Sequence, residues 1–132
     1  MSTRWTGSIF DLEAKEARVD LDLPDEVAKP KERKGSIQGK FRIFFGINFE
    51  KPEFEAPLSM TVKGKEVRFE YKADTKLGSI SFEFNGEITD ADPFAKKAIF
   101  GSYKARSGRT SAFFKGGSMI IWLFAGAEKI EA

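Results

Sequence analysis

Apolar residues fall at every second position through most of this chain, and that period decides what it can fold into. Phe41, Ile43, Phe45, Ile47 and Phe49 follow one another in this way, with Arg42 and Asn48 among the residues between them. Val67, Phe69 and Tyr71 alternate with Arg68, Glu70 and Lys72. Ile80, Phe82, Phe84 and Ile88 hold one phase through Gly86, and Val19, Leu21 and Leu23 alternate with Arg18, Asp20 and Asp22. Period two turns one side of each segment to a core and the other to water, as a β-strand does. A helical face would need apolar residues three and four apart, and no long stretch supplies them. The 14 phenylalanines point the same way, since aromatic side chains suit a pleated surface.

Turn residues divide the pattern. Gly64-Lys65 lies between Met60/Val62 and Val67/Phe69, and a leading glycine fits a type II′ hairpin turn. Ser107-Gly108 and Gly116-Gly117 predict a tight meander of three final strands. Asn85-Gly86 is the weaker break, because the apolar phase crosses it to Ile88, whereas 89–93 holds two aspartates and a proline. The expected strands are 3–12, 16–23, 36–48, 54–63, 66–73, 78–88, 97–106, 109–115 and 118–125. The one long connection, 24–34, predicts a short helical turn at 25–28 behind Pro24.

Many short strands with regularly spaced turns read as an all-β, single-domain antiparallel up-and-down β-barrel of about eight strands, occupying 1–132. A two-sheet β-sandwich is the alternative. Closure removes exposed strand edges, and few strand prolines are present to protect them. An up-and-down antiparallel barrel needs an even count, so one of the nine segments must stand apart or be absent.

Composition removes chemistries. Without cysteine there are no disulfides, thiolate zinc sites or thiol nucleophiles, and without histidine there is no Ser-His-Asp triad. The net charge of +2 does not point to nucleic acid. Lys29, Lys31, Arg33 and Lys34, with Lys104, Arg106, Arg109 and Lys115, read as solvated hairpin ends. Asp90 and Asp92 read as turn residues, so neither a metal nor another cofactor is expected. The longest apolar run, Met119–Gly126, is eight residues, far short of the ~18–20 of a membrane helix. The opening Met1-Ser2-Thr3-Arg4-Trp5 lacks the apolar core of a signal peptide, and a cytoplasmic location is expected.

Trp5-Thr6-Gly7, together with Phe84-Asn85-Gly86-Glu87-Ile88 and Ile99-Phe100-Gly101-Ser102-Tyr103, resembles the calycin-like barrels, the lipocalin, avidin and fatty-acid-binding group. The order here is Trp-x-Gly, where lipocalins carry Gly-x-Trp, and the helix pair that lids fatty-acid-binding proteins has no counterpart. The resemblance implies a barrel and the binding of a ligand. No ligand residue is carried over from it.

Three functions stay open. The first is non-enzymatic binding of a small hydrophobic or aromatic ligand inside the barrel, against Phe41, Phe45, Phe69, Tyr71, Phe82, Phe84 and Tyr103, with Tyr71, Tyr103 or Arg42 orienting it. The same aromatic residues can instead fill the interior as core. The second is a barrel-type isomerase or cyclase, whose catalytic residues the sequence does not locate. The third is an interaction module. Phe44-Phe45, Ile99-Phe100, Phe113-Phe114 and 119–124 are apolar on both faces, which a lone barrel does not require, so a homo-oligomer is expected.

Overall fold

The computed structural model describes residues 2–11, 16–28, 36–44, 54–75, 78–107 and 116–130. Nine strands occupy them: β1 Ser2–Asp11, β2 Glu16–Pro24, β3 Ser36–Phe44, β4 Phe54–Lys63, β5 Glu66–Thr75, β6 Gly78–Asp90, β7 Lys97–Ser107, β8 Gly116–Leu123 and β9 Lys129–Ile130. A 3-10 turn, Asp25–Ala28, follows β2 as the Pro24 signal predicts. Each of β2 to β8 pairs antiparallel with its neighbour in sequence, and β1 pairs with both β2 and β8. The result is a closed eight-strand up-and-down barrel, with β9 added beside the start of β1.

Alternation explains the barrel wall. Trp5 and Ile9 on β1, Val19, Leu21 and Leu23 on β2, and Phe41 and Ile43 on β3 all face inward and are buried. Leu58, Met60, Val67, Phe69, Phe82, Phe84, Ile99, Tyr103, Met119 and Ile121 continue the same core around the ring. Burying one such side chain fully contributes roughly 1.5–3 kcal/mol, so these inward rows dominate stability. Val27, carried by the 3-10 turn, enters the core from the end where β1 begins. Gly64 takes a φ of +61°, the left-handed value that a primed hairpin turn needs at its first central position.

Two expectations change. The segment expected as strand 109–115 lies outside the described residues, and β7 pairs directly with β8 from Lys97↔Leu123 to Lys104↔Gly116. Gly116 and Gly117 are therefore strand residues, not a hairpin turn. Gly117 lies between Tyr103 and Asp11, and a side chain there would run into the Phe10 carbonyl. Glycine here serves close strand approach. The ninth strand is Lys129–Ile130, too short to leave an alternating signal.

The outward row of β2 also departs from simple alternation. Asp20 and Asp22 point out of the barrel yet are buried. Arg4 Nε donates to Asp22 Oδ1 at 3.0 Å, Thr6 Oγ1 to Asp20 Oδ1 at 2.6 Å, and Arg18 Nε to Asp20 Oδ1 at 3.2 Å. Arginine stems roof the acids while their heads neutralise them.

Candidate functional site

The aromatic residues expected to line a pocket lie together. Phe41, Phe69, Phe82, Phe84 and Tyr103 are all buried on inward rows. Phe82 meets Phe41 at 5.2 Å, Phe69 at 5.9 Å and Tyr103 at 5.0 Å between ring centroids, and Phe69 meets Phe84 at 4.9 Å. Rings at these separations are in contact. They occupy this level of the interior with one another rather than surrounding a space.

Arg42 stands on the opposite face of β3 from Phe41. Its guanidinium pairs with Asp22 Oδ2 at 2.8 Å and Glu55 Oε2 at 2.7 Å, so it faces away from the interior it was expected to serve. Tyr71 lies on β5 in register with Phe82, and its side chain is outside the described set. Phe45 lies outside the described residues altogether.

Tyr103 is the polar member of the stack, and its hydroxyl donates to the Phe10 carbonyl at 3.1 Å. Burial first, and then the charge of nearby Asp11, push the phenol above its ordinary range. Tyr103 is therefore a neutral donor at ordinary pH. Tyr103→Phe is expected to lower stability by about 1 kcal/mol at neutral pH, the usual net worth of one hydrogen bond. An unfolded phenol ionises near pH ~10, so this phenol's contribution is present below that and fades as pH rises further. The deficit should therefore narrow in alkali. Urea unfolding of both proteins at about pH 7 and about pH 11 checks this, and a gap that widens with pH contradicts it.

Space for a ligand lies elsewhere, at the barrel end where β1 begins. A pocket of about 360 Å³ opens between the 3-10 turn and the connection from β8 to β9. Trp5 and Leu123, the last apolar inward residues at this end of β1 and β8, line it together with Pro24, Phe124 and Ala127. The chain is held there by bonds from Lys96 N–H to the Leu123 carbonyl at 2.8 Å and from Arg4 N–H to the Glu128 carbonyl at 2.9 Å.

Polar groups line the same pocket. Thr3 Oγ1 donates to Asp25 Oδ1 at 2.5 Å, and Lys129 Nζ donates to Thr3 Oγ1 at 2.9 Å. Lys129 Nζ also lies 3.6 Å from Asp25 Oδ1. The Thr3 hydrogen bond, aided by Lys129, holds the Asp25 carboxyl below its usual range. Lys96, exposed, is the second cation of the rim. Nothing in the sequence spacing joins Thr3, Asp25 and Lys129. The sequence alone places none of these residues in a site.

A second concavity of about 350 Å³ lies over the outer face of β4, β5 and β6, lined by Ser59, Thr61, Arg68, Glu70, Glu83 and Asn85 together with Phe69 and Phe84, which are buried on the inward rows. Glu70 faces Glu83 across the strands, and Arg68 Nε donates to Asn85 Oδ1 at 2.5 Å. The side chains that point into it are polar or charged, so it lacks the apolar wall that a hydrophobic ligand needs. Asp90 is bound by Lys97 at 2.6 Å, and no cluster of three or more potential metal ligands occurs among the described residues. No described helix is long and apolar enough to cross a membrane.

Comparison with protein-family models, with curated proteins and with solved structures finds no match.

Proposed function

We propose that this protein is a non-enzymatic binding protein, and that its ligand enters the mouth of the barrel rather than the aromatic stack. The observation that carries the reading is the pocket of about 360 Å³ with Trp5 and Leu123 as apolar wall and Lys96 and Lys129 at the rim. That volume falls within the ~300–1,000 Å³ common for small-molecule sites. Two lysines against one aspartate favour a ligand with an aromatic or aliphatic body and an anionic group. Its body would be buried against Trp5, Leu123 and Phe124. Its charge would be drawn to the lysines, with Asp25 and Thr3 fixing the position of Lys129.

The expected result is saturable, one-to-one binding of the anionic dye 8-anilinonaphthalene-1-sulfonate to the native protein. Lys96→Glu/Lys129→Glu should weaken it tenfold or more, while binding of the uncharged N-phenyl-1-naphthylamine changes little. Ala127→Phe, which fills the pocket, should weaken both dyes. Dye binding indifferent to Ala127→Phe, or no saturable binding to folded protein, refutes the assignment.

The closed eight-strand form is the support for a calycin-like kinship. A cytoplasmic location belongs to the same reading and is tested by cell fractionation. A barrel-type isomerase or cyclase has one observation in its favour, the inward-facing Asp11 and Tyr103. Both are engaged, Asp11 Oδ1 by the Gly116 N–H at 3.3 Å and Tyr103 by Phe10, and neither lines either pocket. Binding is therefore the preferred reading.

A further inference from the structure

One wall of the mouth pocket is held far more loosely than the rest. β8 ends at Leu123, and the chain then turns through Ala125 and Gly126 to reach β9. Ala125, Ala127 and Lys129 of this strap line the pocket, and Thr3, Trp5 and Asp25 belong to the rim against which it lies. No residue from Phe124 to Ile130 is buried. A methyl built at Gly126 meets nothing within 4 Å, so the turn of the strap stands clear of the barrel there.

The fastenings of the strap are few and wet. β9 pairs with β1 at Ser2↔Ile130 and Thr3↔Lys129, and Arg4 N–H donates to the Glu128 carbonyl at 2.9 Å. Arg4 Nη1 holds Glu128 Oε2 at 2.7 Å, and Lys129 Nζ reaches over Thr3 to within 3.6 Å of Asp25 Oδ1. The side chains of Glu128 and Lys129 are 64% and 61% exposed, and ion pairs so exposed contribute little and are screened by salt. By contrast, β8 pairs with β1 from Thr6↔Trp122 to Asp11↔Gly117 and buries Met119 and Ile121. The root of the strap is also fixed, by the Lys96 N–H bond to the Leu123 carbonyl and by the Phe94 ring against Phe124. Segments with few buried contacts open at far lower cost than the whole fold. We infer that the strap is the gate of the mouth pocket. It lifts from β1 about its root at Leu123 and Phe124 while the eight-strand ring stays closed, and its lifting sets how fast a ligand leaves. The role in ligand release rests on the mouth pocket being the ligand site; the lifting itself does not.

Backbone direction supplies a test that needs no ligand. Successive residues of a paired strand turn their N–H groups to opposite neighbours, so Arg4 N–H reports on the strap and Trp5 N–H on β2. In native-state hydrogen exchange the Arg4 amide should be protected about a hundredfold less than the Trp5 amide. Glu128→Gln should speed Arg4 exchange by about threefold more and leave Trp5 unchanged. Equal protection of the two amides overturns the gate, because the strap would then open only with the barrel. Ser2→Cys/Ile130→Cys tests the role in release. These residues are register partners in a chain without cysteine, and such partners lie about 4.5–5.5 Å apart at Cα, within reach of a disulfide. Oxidation should slow both Arg4 exchange and dissociation of 8-anilinonaphthalene-1-sulfonate by about tenfold or more, and reduction should restore both. An oxidised, folded variant that releases the dye at the original rate overturns the role in release. Wild-type protein that binds no dye overturns the ligand site itself, and the Arg4 and Trp5 amides still decide whether the strap lifts.

Discussion

Gly7→Ala is expected to destabilise the protein by about 3 kcal/mol, although it adds a single methyl group. Gly7 is paired with Val19 on one side and Ile121 on the other, at the seam where β1 closes the ring. A side chain built there would overlap the Ile120 carbonyl oxygen and lie 2.7 Å from Ile121 Cα. Those atoms belong to backbone, so no rotamer change relieves the clash. The strands must separate, which weakens the pairing of β1 with β8. Gly126→Ala is the control, because a methyl there meets nothing within 4 Å. It should shift stability by less than about 0.5 kcal/mol, the usual range for neutral surface positions. Urea denaturation followed by circular dichroism separates the two, and equal midpoints for both variants would falsify the close-packed seam.

Phe82→Ala carries the second large effect, a loss of about 4 kcal/mol, within the range for removing a buried phenylalanine. Phe82 touches Phe41, Phe69 and Tyr103, so its ring links the sides of the interior. Its removal leaves a void lined by aromatic faces that cannot easily collapse together. Such a void stays dry and accepts small apolar molecules. Benzene should therefore raise the melting temperature of Phe82→Ala and leave the unmodified protein unaffected. Benzene that stabilises both alike would show that the interior already holds free space.

Much of the barrel was legible because period two is a backbone property. Once Val19, Leu21 and Leu23 share a phase, the pleat forces them to one face whatever they later touch. Gly64-Lys65 was equally readable, since few residues accept the left-handed value that Gly64 adopts. Gly116-Gly117 was misread for a related reason. Glycine marks a turn and a close strand approach with the same letter, and only the neighbour, here the Phe10 carbonyl, distinguishes them. Asp20 and Asp22 were readable as outward but not as buried, because much of their cover comes from adjoining strands, Thr6 over Asp20 and Arg4 and Arg42 over Asp22.

The candidate site was less legible still. Phase placed Phe41, Phe69 and Phe82 inside, yet ring-to-ring contact depends on barrel width and stagger, which no single strand encodes. The mouth depends on side chains that meet across nearly the whole chain, as when Lys129 reaches Thr3 from 126 positions away.

That closing seam bears on how the protein is made. β1 leaves the ribosome ahead of the other strands of the ring, and β8, which it must pair with, leaves after them. Until residues 116–123 emerge, β1 has β2 for company on one side and an open edge on the other. Strand edges of this kind invite pairing with a neighbouring chain. The hazard during synthesis is thus greatest just before β8 emerges, when seven strands of the ring exist and it has no seal.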